Sequence, residues 1–242
     1  MSYTYAYFIG NAILLLIWLV LYSHRKDLRR QQLSCSLLTA PFAPITQVLW
    51  FYNDYWRPEY IFPIQIVGVP VGFEEIMFAF LIGGIGSVMY EVLLHKKYRA
   101  GHPRTRLTWG IIAGGGIIFL LLKFVDVNTV WASSIALVIC SLVMLWVDRY
   151  LERDWLLTTL FMFVLVIGMY SILLTLYPEL VSKFWVQTSL SGQSVLRIPI
   201  EEIAWFISWA MFSGIVYEFW VNAKKYSEYS LIPARKNRRS FS

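Results

Sequence analysis

The stretch Ile198-Pro199-Ile200-Glu201-Glu202-Ile203, continuing through Trp205, Phe206 and Trp209 to Gly214-Ile215-Val216-Tyr217-Glu218, decides how the rest of the chain is read. From Pro199 to Asn222 its only charges are three glutamates, two at the start and one near the end. About 20 apolar residues suffice to cross the hydrocarbon core of a bilayer, so the segment 199–222 reads as a membrane span. Six earlier stretches have the same character: 5–22, 33–52, 65–94, 107–125, 130–147 and 155–177. They account for a composition that is 58% hydrophobic and 15% charged, against about 25% charged in soluble domains. Lipid leaves no partner for an unpaired backbone group, so each stretch is expected to be an α-helix. Ten-residue alternating segments of the barrel kind do not occur. The expected fold is an all-α integral membrane protein of about seven transmembrane helices.

The loops set an expected orientation. Arg25, Lys26, Arg29 and Arg30 follow the first span; Lys96, Lys97, Arg99, Arg104 and Arg106 follow the third. Arg149 and Arg153 follow the fifth, and Lys224, Lys225, Arg235, Lys236, Arg238 and Arg239 the seventh. One face thus holds 17 of the 21 Lys and Arg residues; the other has Arg57, Lys183 and Arg197, with Lys123 at the outer end of span four. The positive-inside rule makes the basic face cytoplasmic, the N-terminus outside and the C-terminus inside, in the cell (inner) membrane. The first span has no charge before Tyr5 and its basic run after the apolar core, the reverse of a signal peptide, and is expected to be retained. A net charge of +6 is met by anionic headgroups and needs no nucleic acid. Cys35 and Cys140 fall within or beside apolar stretches and read as packed small hydrophobes.

The opening signature has a counterpart in Val69-Pro70-Val71-Gly72-Phe73-Glu74-Glu75-Ile76, continuing to Gly86-Ser87-Val88-Met89-Tyr90-Glu91. In both, Tyr-Glu falls 16 residues after the second acid of the pair. Each copy lies on the third span of a three-span group, so two parallel repeats are expected, related by an axis along the membrane normal. The organisation is then a first repeat over 1–98, a linking loop and fourth helix over 99–129, a second repeat over 130–226 and a basic tail over 227–242. Pro70 and Pro199 suit a helix start, which puts each acid pair near a helix N-terminus. Glu91 and Glu218 lie about 24 Å further along and read as interface-level partners of Lys96, Lys97, Lys224 and Lys225.

Ionisable residues inside a span are costly and mark function by default. If the two helices face each other, Glu74, Glu75, Glu201 and Glu202 converge in a low-dielectric space and provide a general acid aimed at an apolar cavity. The plainer alternative is that the pairs cap helix ends and bond the repeats together. Phe78 and Trp205 lie one helical turn beyond the pairs, and Phe206 and Trp209 follow near the face of Glu202. Aromatic faces stabilise cations, so these four rings are candidates for binding substrate and shielding a carbocation. The loop Asn53-Asp54-Tyr55-Trp56-Arg57-Pro58-Glu59 either lines the mouth of such a site or only solvates it.

Other chemistries fit less well. Gly83-Gly84 and Gly114-Gly115-Gly116 sit in apolar spans and read as helix-packing glycines, with no dinucleotide fingerprint around them. The last span has no lysine for a Schiff base, and the three histidines are all in loops, without metal-ligand spacing. Asp148 and Asp154 are too sparse for a diphosphate-binding motif. No cofactor and no metal is expected.

Pro199-Ile200-Glu201-Glu202, followed by aromatics, resembles the Pro-x-Glu-Glu signature of the membrane-integral lycopene cyclase family, which occurs as heterodimeric subunits and as fused single chains. The tandem arrangement and length are similar to the fused form. The first copy differs, with three residues between Pro70 and Glu74. The resemblance implies cyclisation of carotenoid end groups, an isomerisation of the lycopene β-cyclase kind with no net redox change: an acid protonates the terminal double bond, the chain closes through a tertiary carbocation, and a base removes a ring proton. It implies Glu201 and Glu202 as acid and base assisted by Glu74 and Glu75, an apolar polyene substrate reached from the lipid, and a homo-oligomer or other carotenoid-pathway enzymes as partners. The alternatives are a non-catalytic carotenoid or lipid binder, and a related enzyme acting on another isoprenoid lipid.

Overall fold

A computed structural model describes residues 2–95 and 98–225. Lys96, Lys97 and residues 226–242, with the whole basic tail, lie outside the described residues, as do the side chains of Lys224 and Lys225. Among the described residues, seven helices are long and apolar enough to cross a membrane. They are α1 (Tyr3–His24), α2 (Lys26–Asp54), α3 (Phe73–Leu93), α4 (Thr105–Phe124), α5 (Thr129–Val147), α6 (Arg149–Leu176) and α7 (Ile200–Trp220). The chain is an all-α, multi-pass membrane protein.

Helices α3 and α7 form the centre and touch each other. Around α3 pack α1 and α2; around α7 pack α5 and α6; α4 lies outside, mainly against α5. Helix α3 is apolar on every side, as a buried helix must be, and glycines set how closely its neighbours approach. A Cβ on Gly83 would meet Thr39 Oγ1 at 2.0 Å, and one on Gly86 would meet Ser213 Oγ at 2.2 Å. Gly115 packs on Cys140 in the same way, but Gly114 and Gly116 face open space, so two of the five glycines read as packing residues do no packing here. Both cysteines are buried.

The third span starts later than its apolar sequence implies. Ile64–Ile66 (β1) and Val69–Val71 (β2) form a short antiparallel hairpin, and the helix begins only at Phe73. Apolarity alone does not separate strand from helix over so short a run. The β-branched residues favour the extended form, and Pro70 supplies no N–H for a helix interior. The turn residues Val67 and Gly68 both have positive φ, 50° and 79°, as a type I′ hairpin requires. After β3 (Tyr98–Arg99), a second hairpin, β4 (Ser194–Val195) and β5 (Ile198–Pro199), leads into α7. Its turn residues Leu196 and Arg197 also have positive φ. At the opposite end of the bundle β3 pairs with β6 (Lys224–Lys225).

The hairpins absorb the difference between the two motifs. In the second, Pro199 is itself the helix N-cap; in the first, Gly72 is the cap and Pro70 stays in the strand. Both glutamate pairs therefore occupy the second and third helical positions. Helix α2 is broken at Ala40-Pro41, resumes over Phe42–Thr46 with Pro44 in its first turn, and continues as a single π turn, Gln47–Phe51. Such turns accompany functional sites, and this one places Gln47 in the interior.

The expected partners of Glu91 and Glu218 lie outside the described residues (Lys96, Lys97) or have side chains that do (Lys224, Lys225), and both acids are buried in the protein. Each is 1% exposed, and their carboxyl groups lie close to each other between α3 and α7. Gln31 Nε2 also donates to Glu218 Oε1. One turn earlier Ser87 and Gly214 are buried too, so the acids continue a buried face of each helix.

Candidate active site

The four glutamates of the two signatures are all buried, Glu74 and Glu75 at 4%, Glu201 at 0% and Glu202 at 7% exposure. Being in the first turns of α3 and α7, they gain from the positive end of the helix dipole. Within each pair the two members bond differently. The first of each pair takes a backbone N–H from the preceding loop: Ile61 N donates to Glu74 Oε1 at 2.9 Å, and Ser191 N to Glu201 Oε1 at 2.7 Å. Glu201 Oε2 is buried without a partner. Asn11 Nδ2 of α1 donates to the Glu74 carbonyl at 2.9 Å.

The second of each pair sits among phenol and indole donors. Tyr60 Oη and Trp56 Nε1 donate to Glu75 Oε1 at 2.8 and 3.3 Å. Tyr55 Oη and Trp185 Nε1 donate to Glu202 Oε1 at 2.9 and 2.8 Å, and Tyr170 Oη to Glu202 Oε2 at 2.8 Å. Bonds to an ionised acceptor are about twice as strong as neutral ones. Burial, followed by the adjacent carboxylates, pushes the Tyr55 and Tyr60 hydroxyls well above the usual phenol range, so both remain donors. Gln47 Nε2 donates to Tyr60 Oη at 3.3 Å, holding that hydroxyl toward Glu75.

The two halves meet through a pair of indoles. Trp56 and Trp185 form an antiparallel β-bridge, strengthened by Arg57 N to Phe184 O at 2.7 Å and Val186 N to Tyr55 O at 2.9 Å. Their rings lie 4.4 Å apart at 68°. The carboxyl pairs are thus connected Glu75–Trp56–Trp185–Glu202. Tyr55 crosses from the first half to bond Glu202 in the second.

The four aromatic candidates border this arrangement. Phe206, 2% exposed, packs edge-on to Tyr170 and Phe78. Phe78 stacks with Trp205 at 6.2 Å, and Trp205 with Trp209 at 6.0 Å and 7°. Phe78, Trp205 and Trp209 therefore form a file of nearly parallel rings leading from the acids along α7, all three half-buried. Of the loop 53–59, Tyr55 and Trp56 belong to the site. Tyr60, Tyr170 and Trp185 are donors that sequence reasoning misses, because aromatics near span ends ordinarily mark the membrane interface. Nearness to a signature is a signal for Tyr60 and Trp185; Tyr170 has none. Among the described residues no group of three or more His, Cys, Asp or Glu is placed to hold a metal ion.

Comparison with the curated proteins and with the solved structures finds no match to this chain. The profile of the lycopene cyclase family matches residues 3–93 and 128–220, two segments that contain α1–α3 and α5–α7 with both acid pairs. A match over most of the chain, carrying all four buried glutamates, makes this protein a member of the lycopene cyclase family.

Proposed function

We propose that the chain cyclises the end groups of lycopene-type carotenoids to β-rings, at a site formed by Glu74, Glu75, Glu201 and Glu202. Family membership supports carotenoid cyclisation in general. The observation that carries the finer reading is the arrangement at Glu202, where three side-chain donors converge on one buried carboxyl beside a file of aromatic rings.

The reaction adds a proton to one carbon of the terminal double bond and removes one from another after ring closure, so atoms and charge balance without a redox partner. Glu201 Oε2 is the one oxygen of its pair without a protein partner, and in this reading it exchanges the proton with substrate. Glu202 holds negative charge opposite the tertiary carbocation, its donors fixed beforehand so that little reorganises during reaction. Glu75, with Tyr60 and Trp56, has the corresponding place in the first half. The polyene enters from the lipid between α3 and α7, displacing the half-buried rings Phe78, Trp205 and Trp209. These rings and Phe206 then face the cation. The two three-helix groups act as parallel repeats joined by α4, with the acid pairs toward the outside and the basic loops toward the cytoplasm.

Expression in a lycopene-accumulating bacterial host, with pigments resolved by chromatography, tests the proposal. Conversion to γ- or β-carotene is expected, and Glu201→Gln and Glu202→Gln are each expected to lower it by about 100-fold or more. Unchanged lycopene beside folded wild-type protein, or full conversion by both variants, contradicts it. Another isoprenoid substrate or a binding role is then the better reading.

A further inference from the structure

Helix α4 lies outside both segments matched by the family profile. It is also the least buried of the seven long helices, whereas α3 is the most buried. It is nevertheless bonded to the segment that carries the site's donors. Lys123 Nζ, near the end of α4, reaches Asp54 Oδ2 at 2.6 Å. The same oxygen accepts from Thr129 N at 3.0 Å and Thr129 Oγ1 at 2.8 Å, at the start of α5. The Asp54 carbonyl accepts from Asn128 Nδ2 at 3.0 Å and from Ser189 Oγ. Asp54 therefore gathers the ends of α2 and α4, the start of α5 and the loop before β4 at one point.

The two residues after Asp54 tie that point to the carboxyls. Tyr55 donates to Glu202, and Trp56 donates to Glu75. Tyr55 has φ −145° and ψ −54°, away from both helix and strand, so the chain turns sharply there. That turn aims two successive side chains at carboxyls in opposite halves. Among the described residues, Lys123–Asp54 is the one polar side-chain bond from α4 to this segment.

We propose that Asp54 and Lys123 are positioning residues: their ion pair fixes the end of α2 so that Tyr55 and Trp56 meet Glu202 and Glu75, and through it the linking helix contributes to the site. Neither residue touches substrate. Losing the pair leaves the helices in place but lets the Tyr55–Trp56 segment move. A displacement of about 1 Å there lowers turnover by about 100-fold, because the donors no longer face the carboxyls. Substrate affinity is unchanged. The turnover part of this inference rests on the cyclase reading; the geometric part does not.

Both parts are tested on full-length protein in detergent and in liposomes with Lys123→Met, Asp54→Asn and Lys123→Arg. Arg104→Met is the control, since it breaks the ion pair at the other end of α4, Arg104 to Asp148 at 2.9 Å, far from the site. The geometric readout is the circular-dichroism couplet of the Trp56–Trp185 indole pair, defined as the signal lost in Trp185→Phe. Lys123→Met and Asp54→Asn are expected to weaken the couplet and lower kcat with KM unchanged, Lys123→Arg to restore most of both, and Arg104→Met to leave both intact. An intact couplet in Lys123→Met and Asp54→Asn overturns the proposal, as does an equal loss in Arg104→Met. If Lys123→Met does not fold, Asp54→Asn, which keeps the side-chain size, decides by the same readouts. A couplet that weakens as expected in a wild-type background without cyclase activity upholds the positioning role and refutes the functional reading instead.

Discussion

Replacing Tyr170 by Phe removes a single oxygen from the site, and the structure fixes what that oxygen does. Tyr170 Oη donates to Glu202 Oε2 at 2.8 Å. The Tyr170 ring packs against Trp185 and Phe206 at 6.1 and 6.3 Å, contacts that Phe keeps. Glu202 Oε1 has two donors, Tyr55 and Trp185, whereas Oε2 has Tyr170. A bond to a charged group contributes about 1.5–3 kcal/mol. At 1.36 kcal/mol for each tenfold change in rate, Tyr170→Phe should lower turnover by about 10- to 150-fold. Tyr55→Phe leaves Oε1 bonded to Trp185, which takes up part of the loss, and should cost less than Tyr170→Phe. The assay is the initial rate of carotene formation in liposomes, with thermal melting of each variant as the check on folding. Folded Tyr170→Phe turning over within twofold of wild type would refute the reasoning, as would a larger loss in Tyr55→Phe.

Gly72→Ala should reach the other carboxyl indirectly. Its Cβ would lie 2.2 Å from Glu74 Oε2 and 2.4 Å from Tyr60 Cδ1, forcing the ring back by about 1 Å to reach normal contact and breaking its bond to Glu75. Reduced turnover and a stability loss of about 1–3 kcal/mol are expected; melting and rate measurements check both. Gly84→Ala should be similarly destabilising, since its Cβ would meet Ser36 Oγ at 2.2 Å and Trp18 Nε1 at 2.3 Å. Gly114→Ala, facing open space, should be neutral or stabilising by up to about 1 kcal/mol, and melting the two side by side tests the packing. Glu91 is 1% exposed and its carboxyl lies close to that of Glu218, a place where Gln keeps the size and hydrogen-bonding capacity of the side chain and Ala does not. Glu91→Gln is therefore expected to melt close to wild type and Glu91→Ala to lose about 1–3 kcal/mol; equal melting of the two would contradict that pairing.

The fold is largely legible because charge is absent from seven long runs, and lipid admits few structures for such runs. Where sequence and structure part, the same signal is the cause. Residues 64–71 are as apolar as a span, and their hairpin shows only in Pro70, the β-branched residues and the tight turn at Val67-Gly68. At the site, Glu-Glu recurring with its aromatics in two copies marks out the four acids, all of them buried, as the candidates. Their donors are not legible to the same degree. Tyr55 lies 147 residues from the glutamate it bonds, and Tyr170 lies 32 from it. No local pattern relates residues so far apart; only packing of α6 and the loop after α2 around α7 brings them together. Sequence neighbours put Glu91 and Glu218 beside lysines whose side chains lie outside the described residues; that both acids are buried follows from helix packing, which the sequence does not show. Lys123 is one of four basic residues away from the basic face, with Arg57, Lys183 and Arg197, and it forms an ion pair with Asp54.

The measurement that tests the account most directly is cyclisation of lycopene by the purified chain in liposomes made up in D2O, with the product analysed by mass spectrometry. Ring closure begun by a solvent-exchanged glutamic acid predicts one deuterium retained for each ring formed, and loss of both product and label in the Glu201→Gln, Glu202→Gln double variant. Cyclised product without deuterium, or undiminished labelled product from the double variant, would contradict the assignment of these carboxyls to the chemistry.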